Sequence, residues 1–172
     1  MMQISRTVLP LALCVGAIGV ALTCGNAEAA TYRAHYISAT AVCSGPLPIY
    51  DNQLKRRSLG ILNQGTSSVF ISCSVPSDFE GDLTNASNVV NVYFQSFGGS
   101  GAINCTLNAG LRGNSGSVAG SADIAVDSMI AVGWNNINKM DTWGAYNFSC
   151  ILPPNVEMSF IIYQEGDTSN GL

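Results

Sequence analysis

With 172 residues and a formal net charge of −4, the chain is long enough for one domain with a real core. It is too acidic to be built for neutralising phosphates, which argues against nucleic acid as a partner. A single histidine, His35, rules out any site that needs two imidazoles, and no H-E-x-x-H, G-x-x-x-x-G-K-[ST] or G-x-G-x-x-G run occurs, so no metal or cofactor is expected.

The first element along the chain is a leader. Arg6 is the only charged side chain before an uncharged run from Val8 to Cys24, which closes on Gly25-Asn26-Ala27-Glu28-Ala29. Ala27 and Ala29 form an A-x-A exit, so residues 1–29 read as a signal peptide cut after Ala29. Residues 30–172 then form the secreted domain, periplasmic or extracellular, with no membrane span left after cleavage. An uncleaved anchor lacks a basic stop-transfer flank here, and Leu22 is too bulky for a lipoprotein signal ending in Cys24.

Beyond the leader, period-two alternation recurs and helical periodicity is hard to find. Strands are predicted over Tyr32–Cys43, which contains His35, and over Ser58–Asn63. Between them Lys55-Arg56-Arg57 concentrates three of the six basic residues that follow the leader. The triplet reads as a solvated turn and as a candidate contact for an anionic polysaccharide or lipid headgroup. Ser68–Val75 turns Val69, Ile71, Cys73 and Val75 inward, with Phe70 as an outward exception. Asp78, Glu80 and Asp82 follow in a turn that carries oxygen ligands but not the regular calcium loop.

Strands are next expected over Val89–Phe97 and over Ile103–Leu111, whose odd positions are apolar and whose even positions are polar or glycine. Ala122–Trp134 reads as one strand, with Ile124, Val126, Ile130, Val132 and Trp134 on the inner side and Asp123 and Asp127 opposite. Trp134 and Trp143 bracket an amide-rich loop. An exposed indole can cover a pyranose face while amides bond its hydroxyls, so Trp143 with Asn135, Asn136, Asn138 and Asp141 is the candidate ligand site. Trp134 continues the inward series and reads as core. Tyr146–Leu152 aligns Tyr146, Phe148, Cys150 and Leu152, and Pro153-Pro154-Asn155 connects it to a last strand over Met158–Gln164.

Removing Cys14 and Cys24 with the leader leaves Cys43, Cys73, Cys105 and Cys150, an even set without a C-x-x-C. In an oxidising compartment this reads as two disulfides, and of the three pairings we expect Cys43 with Cys73 and Cys105 with Cys150. Three of these cysteines fall on core-facing positions. Short strands without helices point to an all-β, antiparallel β-sandwich of about seven or eight strands, Ig-like or jelly-roll-like, with a closed barrel as the alternative.

The order Ser58-Leu59-Gly60-Ile61-Leu62-Asn63, Val69-Phe70-Ile71-Ser72-Cys73-Ser74-Val75-Pro76, Asn104-Cys105-Thr106-Leu107 and Tyr146-Asn147-Phe148-Ser149-Cys150-Ile151-Leu152-Pro153-Pro154 resembles a group of short, uncharacterised secreted bacterial proteins with four cysteines. The resemblance implies a β-sandwich in the bacterial envelope or outside the cell and carries no catalytic residues. A non-enzymatic binding or surface-interaction module is therefore expected, with a glycan as the leading partner. One alternative is a structural or adhesive envelope protein that engages another protein through strand edges. The other is a small hydrolase using carboxylates from Asp78, Asp82, Asp123 and Asp127. His35 has no serine partner in an elbow, because Gly113-Asn114-Ser115-Gly116-Ser117 breaks G-x-S-x-G at its last position.

Overall fold

Most of the alternating stretches become strands. The computed structural model describes residues 31–45, 52–76, 89–109, 116–135, 137 and 145–167. In chain order these form β1 (Thr31–Ser38), the helical turn α1 (Ala39–Val42), β2 (Cys43–Ser44), β3 (Leu54–Arg56), β4 (Ile61–Asn63), β5 (Val69–Val75), β6 (Val89–Ser96), β7 (Gly101–Ala109), β8 (Gly116–Ile124), β9 (Met129–Trp134), β10 (Tyr146–Leu152) and β11 (Val156–Asp167). Among the described residues no helix is long and apolar enough to cross a membrane.

Two antiparallel sheets result. The first runs β3-β4-β11-β6-β9, with β1 also pairing β11, and the second runs β2-β5-β10-β7-β8. Pairing is nested: β1 with β11, β5 with β10, β6 with β9, and β7 with β8. The chain is thus one long hairpin wound across both sheets, which is jelly-roll rather than Ig-like connectivity. Alternation fills the space between the sheets with Ile71, Val75, Val92, Phe94, Ile103, Leu107, Phe148, Leu152 and Ile161, all buried. Trp134 belongs to this core at 4% exposure, tilted against Phe148.

Both disulfides form with the expected partners, Cys43–Cys73 and Cys105–Cys150. Each joins residues directly opposite one another on neighbouring strands of the second sheet, β2 with β5 and β7 with β10. The first bridge packs on a residue of the opposite sheet, with Met158 Sδ 3.7 Å from Cys43 Sγ and 3.5 Å from Cys73 Sγ.

Two expected strands and one expected turn are corrected, the strands where the chain changes sheet. Tyr32–Cys43 is interrupted by α1, because Ser38 caps a turn, accepting from the Thr40 N–H at 3.3 Å, and sends small Ala39 into the core. Ala122–Trp134 is two strands separated by a turn at Ala125–Ser128. Asp127 there takes a left-handed φ of 52°, and its carboxylate accepts from the Gly98 N–H at 3.0 Å. Val126 accordingly points to solvent, and Asp123 and Asp127 do not share a strand face. Lys55 and Arg56 lie in β3 and are not a turn.

The register also orders the outer face of the second sheet. Ser72, Ser149 and Thr106 stand in one row across β5, β10 and β7, and Ser74, Asn147 and Asn108 stand in the next.

Candidate functional site

On the outer face of the first sheet, β11 holds a groove because its alternation is broken. Met158 pairs with Phe94 and Phe160 with Tyr93, so Ser159 is the extra residue of a bulge. The bulge shifts the side-chain phase, so that Met158 and Ile161 both face the core while Phe160 turns outward beside Glu157. Phe160 then stacks on Tyr93 of β6, with ring centroids 4.4 Å apart and planes 15° from parallel. Tyr36 of β1 stands on the same face and is 73% exposed.

The β3–β4 hairpin forms the other wall. It closes through the Arg57 N–H on the Gly60 carbonyl at 2.8 Å, which puts Leu59 at the tip, also 73% exposed. Gly60 is needed for this approach, since a Cβ there would lie 2.5 Å from the Met158 carbonyl oxygen and 2.7 Å from the Glu157 side chain. The Ser38 hydroxyl donates to the Leu59 carbonyl at 3.2 Å and ties the hairpin to β1. Between the walls lies a groove of about 370 Å³ with Gln95, Met129, Glu157, Ser159 and Phe160 along it.

Its polar groups are held in place. Glu157 and Ser159 are both buried, and the Ser159 hydroxyl donates to Glu157 Oε1 at 3.2 Å. Arg57 pairs with Glu157 Oε2 at 3.1 Å while its guanidinium lies 4.4 Å over the Phe97 ring. The pair neutralises the one carboxylate that lines the groove among the described residues. Apolar rings beside fixed hydrogen-bonding groups suit a ligand that presents both C–H faces and hydroxyls.

Of the residues singled out from sequence, those that the structure describes are dispersed. Trp143, Asn136, Asn138 and Asp141 lie outside the described residues, as do the leader over 1–29 and the Asp78–Asp82 turn. Asn135 is exposed just after β9, on the strand farthest from β1 in this sheet. Of the basic triplet, Lys55 is exposed on β3, whereas Arg56 donates to the Thr40 carbonyl at 2.8 Å and the Cys43 carbonyl at 3.0 Å, closing the end of α1. His35 faces inward and stacks on Tyr163 at 4.5 Å. Sequence reasoning missed Tyr36, Tyr93, Glu157 and Phe160. Tyr93 had a signal, since it alternates with Val92 and Phe94; Phe160 had none, because the bulge that turns it outward leaves no mark in the pattern.

No family model matches the chain, and no curated protein does. Among solved structures it is similar to a GH26-CBM35 β-(1,4)-mannanase from Podospora anserina, at TM-score 0.45 and 9% identity over 80% of this chain and 28% of that one. It is similar to infectious bursal disease virus, Gx strain, at TM-score 0.42 and 14% identity over 91% of this chain and 38% of that one. A family 11 carbohydrate-binding module from Clostridium thermocellum, in complex with a β-1,3-1,4-mixed-linked tetrasaccharide, follows at TM-score 0.36 and 12% identity over 79% and 88% of the two chains. The chain thus spans less than two fifths of the first and second of these structures.

Proposed function

We propose that the protein is a secreted binding module that takes carbohydrate in the groove between Tyr36 and the β3–β4 hairpin. The observation that carries this reading is the exposed Tyr36 beside the Tyr93–Phe160 stack, with buried Glu157 and Ser159 alongside. A sugar ring covers an aromatic face with its C–H bonds and offers hydroxyls at its rim. Glu157 retains lone pairs beyond those used by Arg57 and Ser159, and Gln95 adds a donor and an acceptor.

Among the described residues one carboxylate, Glu157, lines the groove, and Arg57 neutralises it. Two disulfides suit an oxidising compartment and support export.

A glycan array followed by calorimetry on the best soluble oligosaccharide tests the reading. Tyr36→Ala should weaken that sugar about tenfold, equivalent to about 1.4 kcal/mol, with the melting temperature unchanged because the ring is exposed. An array without sugar binders, or a Tyr36→Ala protein with full affinity, would overturn the site.

A further inference from the structure

We propose that the outer face of the second sheet is a separate docking surface for an insoluble, uncharged polysaccharide. This surface lies on the opposite side of the sandwich from the groove and does not depend on it.

Its first property is charge. Of the outward positions on β2, β5, β10, β7 and β8, only Asp123, at the end of β8, is charged, in keeping with a chain that is 10% charged as a whole. Anionic partners such as nucleic acids or acidic lipids would find no cation on it.

The second property is repetition. The Ser72–Ser149–Thr106 and Ser74–Asn147–Asn108 rows place hydroxyls and amides about 4.8 Å apart across strands and about 6.7 Å apart along them. Little of their hydrogen-bonding capacity is used by the other described residues. Among the described residues the only side-chain hydrogen bond made by these six is Asn147 to the Ala145 carbonyl, at 3.5 Å.

The third property is a pair of apolar side chains in register beside these rows, Phe70 on β5 and Ile151 on β10, each 40% exposed. A shallow recess of about 400 Å³ runs from Val42 and Ser44 past Phe70 to Asn108 and Asn147.

An uncharged polysaccharide has matching chemistry: dense hydroxyls, no charge and C–H patches for Phe70. One hydroxyl contact gains little over water, so a face of this kind needs a partner that repeats. An insoluble glycan array repeats in two dimensions, as the rows do. A protein partner would instead be met by a larger apolar or aromatic centre than two half-exposed side chains supply.

The test is sedimentation of the full-length secreted protein with microcrystalline cellulose and with chitin particles. The protein should pellet with at least one of them. Ser74→Lys and Ser149→Lys, each checked for an unchanged melting temperature, should lower the partition constant at least tenfold. The lysine variants should keep the parent's affinity for the soluble oligosaccharide bound in the groove, which separates this surface from the groove. Should Ser149→Lys fail to fold, exposed Ser74→Lys still decides. The proposal is overturned if the protein pellets with neither material, if the lysine variants pellet as well as the parent, or if Tyr36→Ala alone abolishes pelleting. It is equally overturned if the lysines act by abolishing a dimer in sedimentation velocity, which makes a second copy the occupant, or if the protein shapes ice crystals and binds neither particle.

Discussion

Glu157 and Arg57 form an ion pair of unequal partners. The carboxylate is buried at 5% side-chain exposure, and the guanidinium is 41% exposed. Removing either half therefore has a different cost. In Arg57→Ala the buried carboxylate keeps only Ser159, so it retains its desolvation penalty without its counter-charge, and the guanidinium stem is lost from Phe97. In Glu157→Gln the charge disappears, an amide oxygen can still accept from Ser159, and Arg57 turns to water. Solvent screening at the half-exposed guanidinium moderates the loss, so Arg57→Ala should cost about 1–3 kcal/mol and Glu157→Gln about 1 kcal/mol or less. Urea denaturation of the two variants checks this order. Equal losses, or a larger loss for Glu157→Gln, would mean that Arg57 does not stabilise the carboxylate.

At the scale of elements, β8 shows why a strand can lack a periodic signature. Its sequence, Gly-Ser-Val-Ala-Gly-Ser-Ala-Asp-Ile, alternates only weakly, because glycines interrupt the phase of Val118, Ala122 and Ile124, yet it pairs with β7 in register over its full length. The inner face is occupied from the opposite sheet, since a Cβ on Gly120 would lie 2.9 Å from Val132 Cγ1 and 3.0 Å from Trp134 Nε1. Small residues there are the counterpart of a large indole. Gly120→Ala should destabilise by about 1–3 kcal/mol through overpacking, while Ser121→Ala on the outward side should stay within about 0.5 kcal/mol. Comparing the two melting temperatures, and finding Gly120→Ala neutral, would show that Trp134 can move aside.

The same element explains what was legible in the sequence and what was not. Where two bulky layers meet, as at Val69, Ile71, Cys73 and Val75 or along Tyr146–Leu152, alternation is direct evidence of burial and reads correctly. Where the chain crosses between sheets the pattern misleads. Val126 stays in phase with Ile124 and Ile130, so apolarity runs straight through a turn that Asp127 makes possible. The groove was hidden for a related reason: Phe160 and Glu157 share a face only because Ser159 is bulged, and a one-residue shift of phase cannot be read from composition.

For the whole molecule, the two disulfides are unevenly distributed. Both lie in the second sheet, so the two sheets are joined to one another by the core and by chain crossings rather than by a disulfide. Chain entropy treats the bridges almost alike: the separations of 30 and 45 residues give about 3–4 kcal/mol each, with the longer loop ahead by only about 0.4 kcal/mol. Position makes them different. Cys105–Cys150 joins central strands, whereas Cys43–Cys73 pins β2, the edge strand that follows α1, and Arg56 reaches from the hairpin to the carbonyls of Thr40 and Cys43 beside it. Loss of the edge bridge should therefore be felt locally as well as globally. In hydrogen exchange, a Cys43→Ala, Cys73→Ala protein should lose protection most at residues 39–44 and 54–61, with β7 and β10 losing only what the global change imposes, and its groove should bind sugar more weakly. A Cys105→Ala, Cys150→Ala protein should instead lose a similar global stability, with exchange raised evenly across both sheets and groove affinity preserved in the folded fraction. Matching exchange patterns in the two variants would show that the edge bridge has no special hold on the groove, and that the hairpin keeps its place through Gly60 and the Arg57–Glu157 pair without it.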